Sequence, residues 1–190
     1  MRAFDFILLF FSFVYALALS HLLMTAARMI RHRRTIVFSW PQALWMIAAL
    51  LLVIGNWVSL WDFHNAVRMS AAVIGILFSF SVLVYLDCAL VSPDFNADGV
   101  VNLQEFHELQ GPTYIAVALA TVVAALVLNW IVGGMGAQNW ANQNGLVVSM
   151  LLPPAAALIL RKSSLVQVLA PLVLAAFMIV FISIYYPVLK

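Results

Sequence analysis

Charged side chains are scarce in this sequence: 9 Lys and Arg and 7 Asp and Glu among 190 residues, 8% of the chain. A soluble domain of this length needs several times that share to cover its surface, so a water-facing globule is excluded. The formal charge of +2 is likewise too small for electrostatic capture of nucleic acid, and none is expected as a partner. Cysteine occurs once, at Cys88, which excludes a disulfide framework and a cysteine metal cluster. The sequence has no nucleophile elbow, no zinc-protease motif, no glycine-rich phosphate loop and no two carboxylates inside one apolar run. Too few reactive side chains converge for an enzyme, and a non-catalytic protein is expected.

Apolar residues make up 66% of the chain and fall in continuous stretches. A helix needs roughly 20 apolar residues to cross a hydrocarbon layer of about 30 Å. Six runs qualify by this reading, at 4–29, 41–60, 66–91, 113–132, 145–160 and 165–186. Barrel strands would alternate over about ten residues; these runs are unbroken and rich in Leu, Ala and Val. The expected architecture is therefore all-α, a polytopic bundle of six transmembrane helices forming a single domain over 1–190, with the lipid bilayer as its surroundings. The first run is too long for a cleaved leader and is followed by four arginines, which favours a retained helix.

Those arginines, Arg28, Arg31, Arg33 and Arg34, and the pair Arg161 and Lys162 between the last two runs, place both loops in the cytoplasm. Six crossings put the two loops on one side and both termini on the extracytoplasmic side, where only Arg2, Arg68 and Lys190 remain. Trp57, Trp61, Trp130, Trp140, Tyr185 and Tyr186 map to the outer ends and Trp40 and Trp45 to the inner side, a two-belt arrangement at the headgroups. The stretch 133–145, rich in Gly and Asn, predicts a turn-rich outer excursion. Pro153, Pro154 and Pro171 predict kinks in the last two helices. Ala116, Ala120 and Ala124 form a small-residue stripe that predicts close helix packing.

The inner stretch 92–112 holds four of the seven carboxylates. Within it DFNADGVVNLQE places Asp94, Asn96, Asp98, the carbonyl of Val100, Asn102 and Glu105 at the oxygen-donor positions of a twelve-residue cation loop, with Gly99 at the sharp turn. A hard cation wants such oxygens, 6 to 8 of them at roughly 2.3–2.6 Å. The loop resembles the EF-hand family and is most similar to its dockerin variety, whose loops manage without an incoming helix; Pro93 stops any such helix here. The resemblance implies a Ca²⁺ site, with Mg²⁺ the alternative for a cytoplasmic loop. The other reading of the same residues is a polar turn whose Asp, Asn and Gly solvate a chain reversal.

Two ionisable residues lie inside the apolar runs at similar depth. His21 is about 10 Å by helical rise from Arg28, and Asp87 about 9 Å from Pro93. Such groups face a bundle interior and seek partners, so a His21 to Asp87 contact is expected, with Arg28 competing. It would serve either as an interhelical tie or as a proton relay. Asn56 and Asn129, nearer the outer surface, are expected to bridge helices.

The opening FDFILLFFSFVYALALSHLLMTAARMIRHRR and the later WVSLWDF resemble a family of small bacterial multi-spanning proteins. That resemblance implies a bacterial plasma membrane and makes Ser20, His21 and Arg28 part of the family's pattern; it implies no activity. Two functions stay open: a cation-sensitive channel or transporter, homo-oligomeric in form, and a non-catalytic interaction or assembly subunit of a larger membrane complex.

Overall fold

The computed structural model describes residues 3–60, 71–95, 101–133 and 137–185. The fold is all-helical: α1 (Ala3–Arg31), α2 (Trp40–Ser59), α3 (Ala71–Val91), α4 (Leu103–Gly133), α5 (Ala137–Ser149), α6 (Leu152–Ile159) and α7 (Ser164–Tyr185). Two dipeptides, β1 (Ile36–Val37) and β2 (Val101–Asn102), pair in parallel and tie the turn after α1 to the entry of α4. Five helices, α1, α2, α3, α4 and α7, are long and apolar enough to cross a membrane. The fifth apolar run is broken: α5 and α6 have 13 and 8 residues, and neither reaches spanning length.

The break has a local cause. Pro153 and Pro154 sit in the first turn of α6 and bring no N–H to the ladder of the preceding helix. Met150 and Leu151 bridge the gap with bonds back to Leu146, Val147 and Val148. The chain nevertheless returns along the bundle between α4 and α7. Asn144 of α5 bonds Asn129 near the far end of α4, whereas Ala157 of α6 accepts a bond from Gln167 beside the start of α4.

Other elements depart from the sequence expectation. Residues 137–145 form the first turns of α5 and not a turn-rich excursion. Within them Asn144 donates to the Trp140 carbonyl, while Trp140 packs edge-on against Trp130 at 5.5 Å. α4 begins ten residues before the predicted span and runs continuously through Pro112. Its start is fixed by Asn102, whose side-chain oxygen accepts the N–H groups of Gln104 and Glu105 at 3.1 and 3.2 Å, an N-cap. With 31 residues α4 is about 46 Å long, so its first turns extend beyond any hydrocarbon layer it crosses.

α2 occupies the centre. It packs most extensively on α7 and also contacts α1, α3 and α4. Gly55 permits the closest approach to α7, for a Cβ there would overlap the terminal methyl of Met178 and lie 3.6 Å from Phe181. Trp45 belongs to this core at 2% exposure and packs on Tyr114, so it is not part of a headgroup belt. Trp40 is exposed and stacks edge-on with Phe38. The stripe of Ala116, Ala120 and Ala124 does not close onto a neighbour: with Ala72, Gly75 and Ser79 of α3 it lines an open groove of about 820 Å³.

Candidate functional site

The start of α4 builds the most polar part of the interior. His107, Gly111 and Tyr114 recur at helical spacing, so they share one face. Gly111 leaves space there: a Cβ would lie 3.4 Å from Nδ1 of His107 and 3.7 Å from the Tyr114 hydroxyl. The two side chains therefore meet over the glycine, and His107 Nδ1 hydrogen-bonds Tyr114 Oη. The Tyr114 hydroxyl donates its one proton to Gln42 Oε1 at 2.9 Å. His107 must then donate from Nδ1, which fixes its tautomer. Gln42, fully buried in α2, donates from Nε2 to the Val91 carbonyl. That carbonyl is free because α3 ends at Val91, two residues before Pro93. One directed chain thus links α4, α2 and α3.

Asp87 lies one helical turn from Val91 on the same face of α3 and is 3% exposed. It is within electrostatic range of the Tyr114 hydroxyl, yet among the described residues no hydrogen bond or ion pair reaches its carboxyl group. Ser39, the residue before α2, and Trp45 on it flank Gln42 at three-residue spacing; Ser39 Oγ and Trp45 Nε1 are buried and unpaired among the described residues. Further from the arginines, Tyr15 Oη and Asn56 Nδ2 are also buried and unpaired. In hydrocarbon each such group is costly, and a carboxyl group most of all.

At its other end the chain opens. A pocket of about 300 Å³ is lined by His107, Gln104, Glu108, Arg161, Lys162 and Gln167 among others. The Gln167 side chain reaches His107 and donates to the Ala157 carbonyl at 2.8 Å. Pro112 and Pro171 lie four residues after Glu108 and Gln167, so both helices lose a backbone bond beside this pocket.

The residues expected from the sequence are arranged differently. His21 is exposed and its Nε2 lies 3.2 Å from Tyr85 Oη, with the rings edge-on. Tyr85 and Asp87 are two positions apart, about 200° around α3, so Tyr85 meets His21 on the outside while Asp87 turns inward. The structure therefore pairs His21 with Tyr85 and not with Asp87. Arg28 is exposed on the last turn of α1 and donates to Met24 Sδ at 3.5 Å.

Of the expected cation ligands, Asp94 and Glu105 are exposed and Asn102 caps α4, while Asn96, Asp98 and Val100 lie outside the described residues. No group of three His, Cys, Asp or Glu able to hold a metal occurs among the described residues. The flanks of the loop are ordered by the fold. Val101 and Asn102 pair with Ile36 and Val37, and Phe95 packs near His32 at 6.3 Å. Sequence reasoning missed Gln42, His107, Tyr114 and Gln167. The available signal was an isolated glutamine inside or beside an apolar run, opposite a His and Tyr spaced two turns apart.

Compared with family models, curated proteins and solved structures, the chain finds no match, so its own geometry carries the functional reading.

Proposed function

We propose that this chain is a bacterial plasma-membrane transport protein that moves a small cation, the proton included, through a site centred on Asp87. The observation that carries the reading is a buried carboxyl group without a partner, one turn from a hydrogen-bonded chain that leads to an open pocket. A carboxyl group in hydrocarbon needs a cation, and here no Arg or Lys among the described residues supplies one. His107, Tyr114 and Gln42 form the route from the pocket.

In this reading α5 and α6 together make a sixth, broken crossing. It brings the chain back to the arginine-rich end, and that end faces the cytoplasm by its positive charge, leaving both termini outside. Broken helices at the depth of an ion site are a recurrent feature of transporters.

The loop 94–105 binds Ca²⁺, or Mg²⁺ in its place, through Asp94, Asn96, Asp98, Val100, Asn102 and Glu105, and modulates the flux. Two features support it. Asn102 caps the outgoing helix, leaving the backbone entry of α4 set, and β1 gives the lone loop the strand partner that a second loop of its kind would otherwise supply. A capping residue and a Glu three positions on also satisfy a helix start without any metal, so the metal is tested directly.

The purified chain in liposomes with an internal pH dye, under an imposed potential, should show proton flux that Asp87→Asn lowers at least tenfold. Added Ca²⁺ should change that flux in the parent chain and not in Glu105→Gln. Equal flux in parent, Asp87→Asn and empty liposomes sinks the transport reading.

A second reading, a non-catalytic subunit of a larger complex or homo-oligomer, is favoured by the α3/α4 groove, whose small residues leave room for a partner helix. Co-purification with a larger complex together with absent flux would select it.

A further inference from the structure

The end of α1 and the turn after it carry Arg31, Arg33 and Arg34, all exposed, and no ion pair joins them to an acidic side chain among the described residues. Beside them α1 and α2 diverge around a groove of about 510 Å³. Its walls are apolar, with Leu22, Met29, Met46 and Leu50 along its length and Phe38 near its mouth, and among the described residues Arg33 is its one charged lining residue. From Leu22 to Ile30 the groove follows α1 for roughly 12 Å. That is close to the roughly 15 Å of hydrocarbon in one leaflet, half the thickness of the apolar layer. The mouth lies at the level of the exposed Phe38 and Trp40 pair, the residue types of a membrane interface.

We infer that this groove holds an anionic phospholipid, with one acyl chain between α1 and α2 and the phosphodiester on Arg33. The guanidinium fork matches two phosphate oxygens, and Arg31 and Arg34 add positive field without entering the groove. Charge selects the headgroup. Among the described residues no carboxylate lines the groove to attract a choline or ammonium group, so a zwitterionic lipid leaves the arginines without net compensation. Charge also argues against a second copy of this chain as occupant, because a two-fold contact there would bring the two arginine turns together. The site is independent of Asp87: Ala43, Met46, Ile47 and Leu50 of α2 line the groove, whereas Gln42 and Trp45 face the interior.

The test uses the full chain extracted from membranes of equal phosphatidylglycerol and phosphatidylcholine, with bound lipid counted by native mass spectrometry. Phosphatidylglycerol should be retained in excess. Arg33→Gln should reduce that excess about fivefold, the factor equivalent to ~1 kcal/mol per basic residue at an anionic surface. Ala26→Phe and Ala43→Phe fill the groove from opposite walls without changing charge, and each should remove the retained lipid. Equal retention of both lipids overturns the proposal. So does an excess that survives both groove-filling variants or is displaced by soluble glycerol phosphate, since the arginines would then bind a headgroup without the groove.

Discussion

The two ends of the bundle are held together by different means. At the arginine-rich end, α2, α3, α4 and α7 meet through buried side chains: His107, Tyr114, Gln42 and the Val91 carbonyl in one chain, and Gln167 on the Ala157 carbonyl beside it. At the opposite end α2 and α7 close over Gly55 with Met178, Phe181 and Ile182, which are purely apolar contacts. In lipid there is little hydrophobic drive between helices, and these are the two remedies available: polar ties, or backbones brought close by a small residue. Polar ties fix directions, whereas close packing fixes distance alone. The candidate site lies at the end where the ties form a continuous chain beside the buried Asp87.

The contrast is most easily broken at Gln42. Replacing it with Leu keeps the volume similar but strands the Val91 carbonyl in the interior and leaves the Tyr114 hydroxyl with His107 alone. Each stranded buried group costs about 1–3 kcal/mol, although membrane proteins lie toward the low end of such values. A loss of about 2–3 kcal/mol is expected in reversible unfolding from mixed micelles. A loss below about 0.5 kcal/mol would mean the chain does not hold this end, and the contrast would fail.

Gly55→Leu probes the packed end. The new side chain must displace Met178 and press on Phe181 and Ile182, an overpacking of the kind that costs about 1–3 kcal/mol. Gly55→Ala should cost less, because the only close atom is the flexible end of Met178, and Met178→Ala in the same chain should relieve part of the Gly55→Leu loss. If Gly55→Leu is silent, α2 and α7 are not in close contact there.

The sequence makes the helices legible because apolar runs of spanning length permit little else, and α1, α2, α3 and α7 fall close to the predicted spans. The fifth run could not be read as cleanly, since its continuous hydropathy hides the backbone break that Pro153 and Pro154 impose. The start of α4 was hidden for the opposite reason: Gln104, Glu105, His107 and Glu108 are polar, but a capped helix carries them on the same axis as the span. Depth from helical rise put His21 and Asp87 at one height, and His21 meets Tyr85, two residues from Asp87. Facing angle decides contact, however, and a two-residue offset between Tyr85 and Asp87 sent His21 to the wrong side of α3 for that pairing. Gln42 drew no notice because amide side chains carry no charge, and its partner is a carbonyl that becomes free only where α3 stops.

The smallest expected effect sharpens the comparison furthest. Asn129 donates to Asn144 Oδ1 at 2.7 Å, a polar tie at the end where α2 and α7 close by packing and Trp57 of α2 donates to Ser12 of α1 at 3.2 Å. Unlike Gln42, it does not sit in a longer chain across three helices; Asn144 completes its bonding on the Trp140 carbonyl of its own helix. Asn129 is only half-buried, so the group left behind when its partner is truncated is less enclosed than those of the Gln42 chain. A double-mutant cycle of Asn129→Ala and Asn144→Ala should therefore return a coupling near the ~0.6 kcal/mol average for interhelical hydrogen bonds in membranes. The corresponding cycle on Gln42→Leu and Tyr114→Phe should return a larger value, because both side chains are fully buried. Equal couplings in the two cycles would make burial irrelevant to the strength of these ties, and the arginine-rich end would lose its claim to be built differently.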